Sequence, residues 1–209
     1  MLADLTYLTS VDDLRPPYRH PSSLMRAKQI DHLDPNCCKF IAQAPLLIIG
    51  SAHPQRGQDV SPRGDAPGFV SVLNAHHLAI PDRPGNNRLD TMENLLVNPA
   101  IGLLFVIPGI AEVLRVNGTA RLTRSQRLLE SMAVNGKVPK LAIVVIVKEA
   151  FLHCSKALTR GRVWKDDYRL ERSNLPTLGQ MLADQTKTTS LAVTELEALI
   201  DADARNNLY

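Results

Sequence analysis

Hydrophobic positions along the chain follow two rhythms. From about residue 44 to residue 151 they come in short runs or alternate, the period of strands; on either side they recur every three or four residues, the period of helices. Leu46–Ser51 is apolar throughout and reads as a strand buried on both faces, and Gln58–Arg63 returns along it as a hairpin after the turn at Pro54 and Gly57. Gly68–Leu73 and His77–Ile80 supply a third and a fourth strand. Ile101–Ile107 and Glu112–Leu122 form a second hairpin around Pro108-Gly109, and Leu141–Phe151 is the longest strand. Most connections are short, which favours antiparallel pairing. About seven strands with few long helices between them predict a mainly β fold with flanking helices, a closed or partly closed antiparallel barrel.

Helices are predicted at both ends and at two places inside. Ser10–Leu14 is stopped by Pro16-Pro17, and a second short helix runs from after Pro21 to about Lys28. Over Asp31–Gln43 the residues Leu33, Cys37, Phe40 and Ile41 share a face, and Pro45 ends the run. Leu89, Met92, Leu95 and Leu96 mark one face of a helix over residues 89–97, with Asn87 or Asp90 as its cap. Arg124–Ser131 turns Leu128 and Leu129 inward, Asn135–Lys137 is a turn, and Ser155–Thr159 is a short helix. From Pro176 the pattern is helical again, with Leu191, Leu196, Leu199 and Ile200 as a stripe expected to cover the core, a lid or dimer-packing role being the alternative. At 209 residues this predicts one domain, 1–209, with N-terminal helices at about 10–43 and C-terminal helices at about 177–206.

Composition narrows the function by exclusion. A net charge of +3 without a block of like charges, and only 4% aromatic residues, argue against nucleic acid as a partner. Leu141–Val147 is the longest clean apolar run, too short for a membrane span, and the acidic N-terminal stretch does not read as a secretory signal. Three cysteines, two of them adjacent at Cys37-Cys38, do not make a disulfide framework, so a cytoplasmic location is expected. No pair among His53, His76, His77, His153 and Cys154 has metal-site spacing, and no cysteine has a histidine placed to activate it. No metal site is expected, and no catalytic residue is identified.

One stretch does suggest chemistry. Pro81–Arg88 is a loop that runs straight into the predicted helix, so Arg83, Asn86, Asn87 and Arg88 crowd a helix N-terminus. That end carries free backbone N–H groups and a positive dipole, and it favours a phosphate or another anion. Arg63 and Arg83 close the strands on either side.

The segments SPRGDAPGFV, IPDRPGNNRLDTMENLLVNPAIGLLFVIPG, LRVNG and EAFLHCSKAL resemble, in the same order, the pyridoxamine 5′-phosphate oxidase-like superfamily of split-barrel flavoproteins. Within it they resemble a branch regarded as FMN-dependent enzymes. The likeness runs from roughly Ala44 to Trp164. It implies an antiparallel FMN-binding split barrel, FMN as the cofactor, and a homodimer with the flavin in a groove between subunits. Carried over position by position, it implies that the strand Asp59–Arg63 runs beneath the ring and ribityl chain, that Asn87 and Arg88 hold the phosphate, and that Ser61, Pro62, Asp82 and Arg83 belong to the same site; Arg63 and Asn86 add donors of the type a phosphate needs. His153 sits in the family-like HCSKAL segment and is expected to border the flavin. Lys156, Arg162 and Trp164, a basic cluster around the lone tryptophan, are expected to reach the partner's flavin. The expected activity is that of an FMN-dependent oxidoreductase on a small molecule; a non-catalytic flavin carrier and a haem- or deazaflavin-binding barrel are the alternatives. The chain departs from the oxidases proper at Leu175-Pro176-Thr177, where the family's basic and aromatic pattern for substrate phosphate is missing, so the likeness does not extend to pyridoxamine phosphate as substrate.

Overall fold

A computed structural model describes residues 2–186 and 191–209. Within them, seven strands form one antiparallel sheet: β1 (Leu46–His53), β2 (Gly57–Gly64), β3 (Ser71–Asn74), β4 (His77–Pro81), β5 (Ala100–Val106), β6 (Val113–Thr123) and β7 (Ala142–His153). The strand order is β2-β1-β5-β6-β7-β4-β3. The two predicted hairpins are present, with Leu46 opposite Gly64 in the first and Phe105 opposite Leu114 in the second. β7 is the longest strand and pairs with β6 along its length, from Thr123 opposite Ala142 to Val113 opposite His153.

Alternation builds the core. Leu47 and Ile49 from β1, Leu103 and Phe105 from β5, Leu114 and Val116 from β6 and Ile143 and Val145 from β7 turn to one side and are buried there. β1 is therefore not buried on both faces as its apolar run suggested, because Leu46 and Ile48 remain partly exposed on the other side. The third strand is shorter than expected. Gly68 adopts a φ of 89°, open to glycine at little cost, and Phe69 and Val70 are buried before pairing begins at Ser71.

The helices are α1 (Val11–Leu14), α2 (Ser23–Ala27), α3 (Pro35–Gln43), α4 (Asp90–Val97), α5 (Gln126–Ser131), α6 (Lys156–Arg160), α7 (Leu178–Thr186) and α8 (Val193–Asn206). α3 covers one end of the core with Cys37 and Ile41. It starts later than its apolar pattern, since Pro35 stands at the first turn and Asp34 caps it, accepting from the Cys37 N–H at 2.7 Å. α1 and α2 have no buried residue, so of the N-terminal helices only α3 packs on the core. α8 also has no buried residue, and Leu199 is exposed, which corrects the expectation that its stripe covers the core. Residues 187–190, within the predicted C-terminal helical region, lie outside the described residues. No described helix is long and apolar enough to cross a membrane.

Candidate ligand cavity at the start of the fourth helix

β2 is an edge strand, which is why Pro62 is tolerated in it: no neighbour waits for its missing N–H. Its alternation turns Asp59, Ser61 and Arg63 towards α4 and the cavity, with Val60 and Pro62 on the more exposed side. α4 lies across β1 and β2 and is fastened there by polar contacts. Thr91 Oγ1 donates to Asp59 Oδ2 at 2.8 Å and accepts from Arg63 Nη2 at 3.3 Å. Asn94 Nδ2 donates to Ser51 Oγ at 3.0 Å, and Ser51 Oγ donates to Asp59 Oδ2 at 3.3 Å. Arg56 reaches over from the β1–β2 turn to Glu93 at 2.6 Å and to Asn94 Oδ1 at 3.1 Å. Ser51, Thr91 and Asn94 are buried polar residues, and these bonds satisfy them.

The loop that enters α4 is held in an uncommon backbone form. Asn87 and Leu89 have φ of 57° and 60°, in the left-handed region that side chains other than glycine and asparagine rarely adopt. The N-cap is Leu89, without a side-chain cap bond, so neither Asn87 nor Asp90 caps the helix as the sequence suggested. Asn86 Oδ1 instead accepts from the Arg88 N–H at 3.1 Å, and Arg88 Nε donates to Asp90 Oδ2 at 2.8 Å. The absence of a capping side chain leaves the first turn of α4 to whatever occupies the cavity beside it.

That cavity has a volume of about 760 Å³. Eight sequence-predicted residues line it together: Ser61, Pro62, Arg63, Asp82, Arg83, Asn86, Asn87 and Arg88. Arg83 is the most constrained. Its Nε donates to Asp65 Oδ2 at 2.6 Å and its Nη1 to the Met132 carbonyl at 2.9 Å, with side chains 15% and 1% exposed in the ion pair. Two of its five N–H donors are therefore spent on the protein and its charge is paired with Asp65, so it shapes the wall more than it offers charge. Burial pushes the Asp82 carboxyl above its ordinary value, while Arg63 and Lys140 pull it the other way. Arg124, Lys137 and Lys140 complete the cationic side of the wall, against the carboxylates of Asp59, Asp82, Asp90 and Asp203.

The sequence reading missed Arg124, Lys137, Lys140, Thr91, Asp203, Asn207 and Tyr209. Thr91 and Asn94 carried a signal, since two polar residues three apart on the apolar face of a short helix demand partners. The others come from the loops around α5 and from the end of α8 and just beyond it, far away in sequence.

Lys156, Arg162 and Trp164 are not in this cavity. Trp164 Nε1 donates to the Ile110 carbonyl at 2.8 Å, and Arg162 pairs with Asp167, so the cluster sits by the β5–β6 turn. His153, at the end of β7, lies against Phe151 with ring centroids 5.0 Å apart; burial lowers its pKa, helped by Arg115 and Lys28. The cavity adjoins the other end of the β6–β7 ladder, at Arg124 and Leu141.

The profile of the family described as "Pyridoxamine 5′-phosphate oxidase" matches residues 33–154, more than half of the chain. The chain belongs to this family. The family's antiparallel split barrel is the fold seen here, and β2, the loop before α4, and α4 itself all fall inside the matched region. No curated protein matches the chain. Among solved structures, similarity is found to a variant of HupZ from Group A Streptococcus, 15% identical, covering 58% of this chain and 99% of that one, with a TM-score of 0.47. An FMN-binding protein from Syntrophomonas wolfei is 9% identical, with 56% and 88% covered and a TM-score of 0.42. HutZ, the haem storage protein of Vibrio cholerae, is 14% identical, with 58% and 93% covered and a TM-score of 0.40.

Proposed function

We propose that the protein binds FMN and acts as an FMN-dependent oxidoreductase on a small molecule, as a homodimer in which each flavin site draws on both subunits. The observation that carries this reading is the meeting of Arg63, Arg88, Asn86 and Asn87 in one cavity at an uncapped helix start. A phosphate dianion is best held by forked guanidinium donors together with amide and backbone N–H groups. The inward row Asp59, Ser61 and Arg63 offers hydroxyl-binding groups of the kind a polyol chain needs. The volume lies within the range of ligand pockets for molecules of this size.

FMN, when bound, supplies exchange of a hydride or an electron pair. The chain supplies position and charge. Thr91 accepts from the Arg63 guanidinium and so holds one positive charge at the cavity wall, of the kind that would stabilise a reduced, anionic flavin ring. Asp82, lining the same cavity and influenced by Arg63 and Lys140, is the group there able to hold or release a proton. Haem fits this wall less well. Among the described residues the wall contains no histidine and no cysteine, and the hydroxyl of its tyrosine, Tyr209, is bonded to Asp65.

The second basic cluster supports a shared site. Lys156, Arg162 and Trp164 do not line the cavity of their own chain. A two-fold axis would carry them to the partner's cavity, twice.

The deciding experiment is the absorption spectrum of the purified or reconstituted protein, with mass spectrometry of whatever denaturation releases. A flavin spectrum and released FMN are expected. Haem, a deazaflavin, FAD, or no FMN binding in the micromolar range would overturn the cofactor. Arg88→Ala should weaken FMN by about ten- to a hundred-fold, the worth of one charge-assisted contact, and leave riboflavin unaffected. Bleaching by NAD(P)H separates an enzyme from a carrier. In a mixed dimer with Arg88→Ala and Lys156→Glu on the same chain and an unaltered partner, no intact site is expected if the site is shared; one intact site and one flavin are left if each pocket lies within one chain.

A further inference from the structure

One wall of the cavity comes from outside the segment matched by the family. Asp203 on the last turn of α8, and Asn207 and Tyr209 just after it, line the cavity although α8 buries none of its own residues. α8 packs against α7, where Gly179 lets it approach so closely that an added Cβ would stand 2.6 Å from Glu197 Cγ, and the Thr177 hydroxyl bonds the Glu197 carboxylate. On the body of the protein, the segment is fastened at Tyr209. The Tyr209 hydroxyl donates to Asp65 Oδ1 at 2.6 Å, its ring lies 5.9 Å from the Arg83 guanidinium carbon, and Lys137 Nζ donates to its backbone oxygen at 2.5 Å. These contacts all reach residues bound up with the cavity: Arg83 and Lys137 line it, and Asp65 is the ion-pair partner of Arg83.

We propose that Tyr209 belongs to the ligand site as its latch: α8 lifts when Tyr209 leaves Asp65, Arg83 and Lys137, a ligand of flavin size enters, and the segment closes again beside it. The contacts assign the parts. With α8 lifted, Asp65 keeps Arg83 in place, so the wall survives opening, while Lys137 gains a free ammonium on the cavity side. With α8 closed, Asp203, Asn207 and Tyr209 shield the ligand from water and slow its escape. A helix with no buried side chain costs little to lift, which is what a gating element requires. The hydroxyl–carboxylate bond holds the closed state, because Asp65 is almost fully shielded and its bond to Tyr209 is charge-assisted.

The inference rests on the reading that this cavity takes FMN, so the test has one measurement with no flavin in it. Tyr209→Phe keeps the ring and removes the hydroxyl; Tyr209→Ala removes both. In the ligand-free protein, amide hydrogen exchange over residues 193–206 should quicken about tenfold in Tyr209→Phe and further in Tyr209→Ala, the factor expected for one lost charge-assisted bond. In the FMN-loaded protein, release followed by recovery of flavin fluorescence should quicken in the same order, with faster uptake as well. Unchanged exchange over 193–206 in both variants overturns the latch, as does unchanged FMN release in both. If the parent protein binds no FMN, the cofactor reading fails on its own, and the exchange measurement still decides whether Tyr209 holds α8 down.

Discussion

Thr91→Val tests whether the polar contacts beneath the cavity hold Arg63 in place. Thr91 is 2% exposed, and its hydroxyl serves two charged groups, donating to Asp59 at 2.8 Å and accepting from Arg63 at 3.3 Å. Valine has nearly the same shape, so little cavity is created and the loss falls on the hydrogen bonds. A bond to a charged group is worth about 1.5–3 kcal/mol. Asp59 keeps Ser51 at 3.3 Å, and the Arg63 bond is long, so the lower half of that range is expected, about 1.5–2 kcal/mol. For a chain of this length that is a fall in Tm of about 3–8 °C. Thr91→Ser is the control: it keeps the hydroxyl and loses one methyl, about 1 kcal/mol. Urea unfolding should rank parent, Ser, Val in falling stability. FMN titration should separate them more sharply, with Ser close to the parent and Val weakened, because only valine releases Arg63. A valine variant as stable as the serine one, with unaltered FMN affinity, would refute the positioning argument.

Asp82→Asn should raise thermal stability of the ligand-free protein at neutral pH. Burial lifts the folded-state pKa of Asp82 above its ordinary 3.8, so the stability it contributes is complete below that value and is lost as pH rises through the folded pKa. The advantage of the variant over the parent should therefore shrink as pH falls to about 4, and a difference that stays constant across that range would contradict it. Gly118→Ala should cost about 1–3 kcal/mol in urea unfolding, because Gly118 sits at the register shift between β6 and β7 and a Cβ there would run into the Ile146 carbonyl. Gly50→Ala, whose Cβ would meet nothing nearer than the Gly102 oxygen at 3.8 Å, should cost much less.

The strand pattern was legible because it rests on a period of two and on short turns, both of which are local. β1, β2 and the β5–β6 hairpin appear within one or two residues of where the apolar runs placed them. The loop before α4 was legible for the same reason: Arg83, Asn86, Asn87 and Arg88 are neighbours in sequence, and the chain direction fixes which end of the helix they crowd. Three things were not local. Capping by Leu89 is a backbone conformation that no side-chain preference announces. The engagement of Arg83 by Asp65 and the Met132 carbonyl joins three separate segments. Tyr209 reaches Asp65 across 144 positions, a contact that depends on how α8 is laid on the body. The helical stripes misled for a different reason. A 3.6-residue pattern shows which side chains share a face, but not whether the sheet or something else covers it.

α4 shows that failure most usefully. Its sequence puts Leu89, Met92, Leu95 and Leu96 on one face, yet the sheet buries Met92 and Leu95 together with Thr91 and Asn94. Leu89, Leu96 and Val97 remain 48%, 73% and 57% exposed. The polar pair displaces the apolar ones because Asp59, Ser51 and Arg63 lie beneath the helix and require partners, so the helix is rotated and part of its apolar surface is turned outward. Val60, on the outer side of the neighbouring edge strand, is exposed as well. Val60 and Leu89 line the cavity, and Leu96 and Val97 follow at the far end of the same helix, so together they offer an apolar surface to the proposed second subunit, which must come near the cavity if Lys156, Arg162 and Trp164 are to reach the flavin. Covering a leucine or valine fully is worth about 1.5–3 kcal/mol, so this surface would contribute materially to a dimer while costing the monomer its exposure. Leu96→Glu should then leave the ligand-free monomer fold intact by circular dichroism, since the side chain already faces solvent. In sedimentation velocity it should shift the protein from dimer to monomer, and flavin affinity should fall with it although no cavity residue has changed. A Leu96→Glu protein that remains a dimer at the parent's dissociation constant would place the two-fold contact on another face and leave the outward turn of α4 without that explanation.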